Sequence, residues 1–121
     1  MTMALVALGG AAGSLARWGL TGWIHQASGS TFPWGTLAVN VVGCAGIGAL
    51  AAWAPRFGLS EPWRIALQVG VLGGFTTFSS FGLETFRLAE NGAPGRAALY
   101  VVATNLACLA AVWLAVRGSG S

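Results

Sequence analysis

The chain has 121 residues, of which 55% are hydrophobic and only 7% charged, with a formal net charge of +3. Soluble domains carry about 25% charged residues, so a soluble enzyme or binding module is excluded. The basic balance comes from scattered arginines with no cluster or stripe of the kind nucleic acid needs.

Four apolar runs are long enough to span a bilayer, which takes about 20 residues. The first runs from about Met3 to Ile24 and the second from Pro33 to Ala54, with Pro33 placed where a helix start tolerates its missing N–H. The third runs from about Glu61, after Ser60 as N-cap, to near Ala89, and the fourth from about Arg96 to Val116. Breaker-rich turns join them: Gln26–Ser30, Ala54–Gly58 and Asn91–Gly95. Residues 1–117 therefore form a single four-helix transmembrane domain, and 118–121 read as a flexible tail. No basic segment precedes the first run, so a cleaved signal peptide is not expected.

Orientation follows the Lys/Arg bias of the loops. Arg56, Arg64 and Arg117 fall on one side; Arg87 and Arg96 fall on the other, together with Arg17 if it snorkels from the end of the first helix. Three against three is no bias, so the chain can insert both ways up, which permits an antiparallel homodimer. Trp18, Trp23, Trp34, Trp53, Trp63 and Trp113 are placed near helix ends as interface anchors. Cys44 and Cys108 lie inside apolar runs and read as small buried hydrophobes.

The first helix carries Gly9-x-x-x-Gly13 and the second Gly43, Gly46 and Gly48, which let membrane helices approach closely. On the second helix Thr36 and Asn40 share a face. At 1.5 Å per residue Asn40 stands roughly 10 Å inside, where its amide must find partners. An interhelical hydrogen bond and a pathway contact both satisfy that need.

The third run holds Gly73-Gly74-Phe75-Thr76-Thr77-Phe78-Ser79-Ser80-Phe81. Each glycine costs a helix roughly 1 kcal/mol against alanine and the adjacent threonines add more, and a broken crossing must hide its freed backbone in protein or around a cavity. Thr77, Ser80, Glu84 and Arg87 then form one polar stripe, with Phe78 and Phe81 on a neighbouring face. Glu84 is an ionisable group within a crossing and so a functional candidate, although a local pair with Arg87 or Arg17 would also account for it. On the fourth helix Tyr100, Thr104 and Cys108 repeat every four residues as a polar track. Asn105 lies off that track and is expected to bond a neighbouring helix, and His25 stands alone in a loop. No metal-ligand spacing, carboxylate pair, nucleophile elbow or phosphate loop is present, so an enzyme is not expected.

Hydroxyls, an amide and phenyl rings line any path through such a bundle. Ring edges, hydroxyl hydrogens and amide N–H groups suit an anion, ring faces a cation. The absence of a carboxylate ring favours a small anion, whose water is replaced by close donors such as Asn40, Ser79 or Ser80.

Gly10-x-x-Gly13-x-x-x-Arg17, Gly35-Thr36-Leu37-x-x-Asn40-x-x-Gly43 and the Gly73–Phe81 run with Glu84 resemble the Fluc (CrcB) fluoride channel family in order and spacing over all four crossings. The resemblance implies an all-α membrane protein of four helices per subunit, the third broken near its middle, assembled as an antiparallel dual-topology homodimer in the cell membrane, the bacterial inner membrane. It implies passive export of cytoplasmic fluoride through two pores, with a structural sodium ion at the dimer interface. Asn40, Phe78 and Phe81 would supply the pore amide and the phenylalanine box. Ser79 and Ser80 would place hydroxyls near the ion, and Tyr100, Thr104 and Cys108 would form the fourth-helix track. Thr36 and Glu84 would make a polar site toward one pore end, Arg17 would stand near a vestibule, and the carbonyls of Gly73 and Thr76 would hold sodium. Cys108 departs from the hydroxyl expected there, a thiol being the weaker donor. The rival is a small multidrug-type proton-coupled transporter, which needs a carboxylate in its first helix; Met3 to Ile24 contains none.

Overall fold

The apolar runs become four helical crossings in the computed structural model, which describes residues 1–119, and no strand occurs among them. The first, α1 (Thr2–Ser28), runs a full turn past Ile24 and stops only at Gly29, whose φ of 59° turns the chain left-handed and returns its N–H to the His25 carbonyl. His25 is therefore in the last helical turn and not in a loop. Trp18 lies about 15 Å before that end, too far to mark it.

Helix α2 (Trp34–Trp53) begins one residue after Pro33. The third crossing, Glu61–Glu90, is built from pieces. It starts as α3 (Glu61–Ile65), widens to π geometry over Ala66–Leu72, closes again as α4 (Gly73–Phe75), opens to extended backbone at Thr76 and Thr77, and resumes as α5 (Phe78–Glu90). Ser60 holds the N-cap position of α3 but makes no side-chain capping bond; the side chain that caps is Thr77, whose Oγ1 accepts from the Ser80 N–H at 3.1 Å. Helix α6 (Pro94–Gly118) starts two residues early and includes Gly118, and Ser119 donates to the Ala115 carbonyl at 2.6 Å. Of the expected tail, Gly120 and Ser121 lie outside the described residues.

The third crossing breaks as expected, and it opens at the threonine end of the Gly73–Thr76 stretch, at Thr76 and Thr77, while the glycines stay helical. Gly74 is needed bare for packing, whereas a Cβ on Gly73 would meet only the Gln68 carbonyl oxygen, at 3.7 Å. A Cβ on Gly74 would stand 2.7 Å from the Gly10 carbonyl oxygen, and one on Gly13 would run into the carbonyl of Val71. With no side chains between them, α1 and the third crossing lie backbone against backbone. Helix α2 packs instead along α6, and α5 lies on α6 beside it. A small core of Phe32, Phe81, Leu88, Ala97 and Tyr100 fills the corner between α2, α5 and α6.

Candidate functional site

Breaking a helix inside a membrane frees peptide groups that lipid cannot serve. Nearly all those at Thr76–Thr77 have identifiable destinations. Asn40, two turns into α2, sets its whole amide against the Thr77 peptide: Nδ2 donates to the Thr77 carbonyl at 3.0 Å, and Oδ1 accepts the Thr77 N–H at 2.8 Å. The Leu72 carbonyl accepts both the N–H and the Oγ1–H of Thr76 at 3.0 Å. Arg17 Nε donates to the Gly74 carbonyl at 3.0 Å. Arg17 thus does not snorkel to a helix end. It sits deep along α1 and places its charge at the carbonyl end of α4, where the helix dipole favours a cation. Its removal from the interface leaves Arg56, Arg64 and Arg117 facing Arg87 and Arg96 in the orientation count.

Two carbonyls lose the donors that a continuous helix would give them. The N–H four residues beyond Gly73 is that of Thr77, taken by Asn40; the one four beyond Thr76 is that of Ser80, turned to Thr77 Oγ1. Gly73 and Thr76 both line a cavity of about 340 Å³.

Below the break, α5 presents Phe81 and Glu84 on consecutive turns. Glu84 takes one hydroxyl on each oxygen: Thr36 Oγ1 donates to Oε2 at 2.9 Å and the Tyr100 hydroxyl to Oε1 at 3.0 Å. The expected pairing with Arg87 or Arg17 gives way to these two neutral donors. Tyr100 is wholly buried, its ring edge-on to Phe81 at 5.0 Å and to Phe32 at 5.3 Å. Phe78 stands 5.5 Å from Phe81, but Phe81 is 6% exposed and Phe78 81%. Ser79 is exposed, with its hydroxyl 3.3 Å from that of Thr77.

The polar track on α6 is matched residue for residue by α2. Thr36 and Tyr100 meet at Glu84; four residues on, Asn40 and Thr104 line the 340 Å³ cavity together. Four further on come Cys44 and Cys108, whose thiols are neighbours, and four beyond those a Cβ on Gly48 would stand 2.7 Å from the Val112 carbonyl oxygen. The two helices run parallel and in register, and their four-residue spacing keeps each pair on one face. Along this ladder Thr104 is exceptional. Its hydroxyl is buried and bonds neither its own helix nor any neighbour. Asn105 does the reverse of what was expected, donating to the Val101 carbonyl of its own helix at 2.8 Å.

A second cavity, about 560 Å³, opens on the far side of Glu84 and is bordered by His25, Arg87, Arg96 and Asn91. Arg17 is not among its lining residues. One turn of α5, from Phe81 to Glu84, with Tyr100 against it, separates the cationic cavity from the one holding Asn40 and Thr104. Sequence reasoning missed three of these relations. Thr77-x-x-Ser80 carries an N-cap signal, and the matching four-residue spacings of α2 and α6 imply their register, but nothing in the sequence points from Arg17 to Gly74.

Similarity to known proteins extends over nearly the whole chain. The family profile described as "CrcB-like protein, Camphor Resistance (CrcB)" matches residues 4–116. A protein of Geobacter metallireducens named fluoride-specific ion channel FluC is 48% identical over 117 residues, covering 96% of this chain and 94% of that one. A protein of the same name from Opitutus terrae is 51% identical over 112 residues, covering 90% and 85%. Another from Geobacter sulfurreducens is 45% identical over 119 residues, covering 98% and 96%.

Proposed function

The chain belongs to the CrcB family and is a multi-pass plasma-membrane protein, and on that footing we propose that it is a fluoride-selective channel. It exports fluoride from the cytoplasm passively, down the ion's electrochemical gradient. The observation that carries this reading is the Thr104 hydroxyl: buried, without a partner, and on the wall of a cavity it shares with Asn40 and Phe81. A buried hydroxyl left unpaired costs about 1–3 kcal/mol, and such a group is retained where a ligand completes it.

The ion would enter the cavity bordered by Arg87, Arg96 and His25, where positive charge concentrates anions. It then meets Thr36 and Tyr100, whose hydrogens rest on the Glu84 carboxylate. That carboxylate occupies the position of an anion, so an arriving fluoride competes with it for the same two hydrogens. Beyond lie the edge of Phe81, the Thr104 hydroxyl and the second Nδ2 hydrogen of Asn40, the first being held by Thr77. Cys108 adds a weak donor along the cavity, and Phe78 supplies the second ring. The hydroxyls of Ser79 and Ser80, on the turn of α5 that follows the break, would serve the ion from beside it.

The cavity face holds polar groups at membrane depth, among them Gln68, Thr76 and Asn105, which lipid cannot satisfy. A second, antiparallel copy of the chain covers that face and gives two pores per dimer. The fit for sodium rests on the carbonyls of Gly73 and Thr76, each deprived of its helical donor, since hard cations take oxygen ligands. Two such carbonyls from each copy would hold the ion, which supplies positive charge to the interface and takes no part in conduction.

Liposomes loaded with fluoride and carrying the protein should release it without a pH gradient, while chloride stays inside. Proton-coupled drug uptake with no fluoride release would replace this reading.

A further inference from the structure

We propose that Cys44 and Cys108 together form a two-coordinate site for a soft divalent metal ion of the mercuric type. Conduction uses the Cys108 thiol only as a weak donor on the cavity wall and has no use for a second thiol beside it. Each cysteine alone would pass for a small apolar filler. Their placement is what distinguishes them. The thiols are neighbours across the contact of α2 and α6. The register of those helices sets this independently: one turn before, Asn40 and Thr104 line one cavity, and one turn after, Gly48 brings the backbones together at Val112. Both cysteines also line the cavity of about 340 Å³, which gives an ion access to them. Both cysteines are free, so neither is held in a disulfide.

Ligand number and charge select the metal. Among the described residues no group of three or more His, Cys, Asp or Glu is gathered anywhere. A tetrahedral zinc site, which needs four ligands or three and a water, is therefore not available. A linear ion satisfied by two thiolates fits, and sulfur ligands select soft metals. Binding proceeds by loss of one proton from each thiol and formation of two metal–sulfur bonds, with no change of oxidation state. A divalent ion then leaves a neutral complex. A monovalent ion such as Cu(I) would leave one negative charge in the low-dielectric interior, which is costly. The bound ion would stand one turn from Asn40 and Thr104 and narrow the cavity they share. Inhibition of fluoride flux is thus a consequence that rests on the proposed function, whereas binding does not.

Reduced protein, freed of reductant, is titrated with mercuric chloride in detergent and followed by sulfur-to-mercury charge-transfer absorbance. One ion per chain should bind, and one equivalent should remove both thiols from a thiol-counting assay on the unaltered chain. Loss of only one thiol per ion would overturn the proposal without recourse to any variant. Cys44→Ala and Cys108→Ser should each weaken binding by a factor of about 100 or more, the gain expected from joining two ligands in one site. Unchanged affinity in either variant would overturn it too. In liposomes, mercuric ion should suppress fluoride release by the unaltered chain and leave that of Cys44→Ala unchanged relative to its own untreated rate. Stoichiometric binding in a chain that releases no fluoride would defeat the channel reading and leave the metal site standing.

Discussion

The Asn40 side chain and the Thr77 peptide face each other as a closed pair, N–H to carbonyl in both directions, at 3.0 and 2.8 Å. One amide thereby replaces the helical neighbours that Thr77 gives up when the third crossing opens. The interhelical bond and the pathway contact, alternatives in the sequence, become compatible: the pair consumes Oδ1 and one Nδ2 hydrogen and leaves the other for the cavity.

Asn40→Ala should therefore damage the fold as well as the flux. It strands both groups of the Thr77 peptide, at about 1–3 kcal/mol each. Asn40→Asp should be as harmful, since a carboxylate oxygen would replace the donor that faces the Thr77 carbonyl. The check is thermal unfolding in detergent beside fluoride release; wild-type stability in both variants would show that the pair contributes nothing.

Gly13→Ala should loosen α1 from the third crossing, because the added methyl runs into the Val71 carbonyl and backbone cannot rotate aside. Overpacking of this kind costs about 1–3 kcal/mol. Gly19 has nothing within 4 Å of the corresponding position, so Gly19→Ala should be neutral or gain up to about 1 kcal/mol from helix propensity. Measured melting temperatures in detergent should separate the two in that order.

The crossings and the small-residue faces were legible because each follows from local periodicity, whereas the Thr36–Glu84 association came only with the family resemblance. The break was legible as the Gly73–Thr76 stretch, but not the residue within it at which the helix opens. Propensity counts against glycines and threonines alike, yet packing uses the missing side chain of Gly74 against α1, and the chain opens at the threonine end, where Asn40 can replace the lost bonds. Arg17 failed for a related reason. Snorkelling is the default of a cation on an isolated helix, and only the folded bundle brings a bare carbonyl, that of Gly74, within its reach. Asn105 remains exposed and bonds the Val101 carbonyl of its own helix, four residues back, in place of a neighbouring helix.

Phe81→Ile should suppress fluoride release while leaving the dimer intact. The ring is buried edge-on to Tyr100, and an aliphatic side chain fills much of its volume but presents no positive edge to an anion. The readouts are electrode-recorded release and size in detergent. Undiminished release would remove the ring from the conduction path.

Replacing sodium by a large organic cation in the purification buffer should weaken the dimer if the carbonyls of Gly73 and Thr76 are its ligands. Those carbonyls would then face one another across the interface without the charge that reconciles them. Cross-linking yield against sodium concentration gives the measurement, and a dimer indifferent to the cation would count against the site.

Thr104→Val separates conduction from architecture. The two side chains have nearly the same shape, and the hydroxyl that is lost has no partner in the fold. By stability alone the change should be neutral or favourable, since it removes a buried group that lacks a hydrogen bond. If the hydroxyl serves the permeating ion, fluoride release should fall even though the melting temperature holds or rises. A role confined to packing predicts the opposite, with flux preserved alongside stability. Thr104→Ser keeps the donor and should restore most of the flux, although the missing methyl should lower stability by about 1 kcal/mol. Opposed changes in the two measurements across these substitutions would assign the hydroxyl to the ion. Parallel changes would return Thr104 to the packing of α2 on α6.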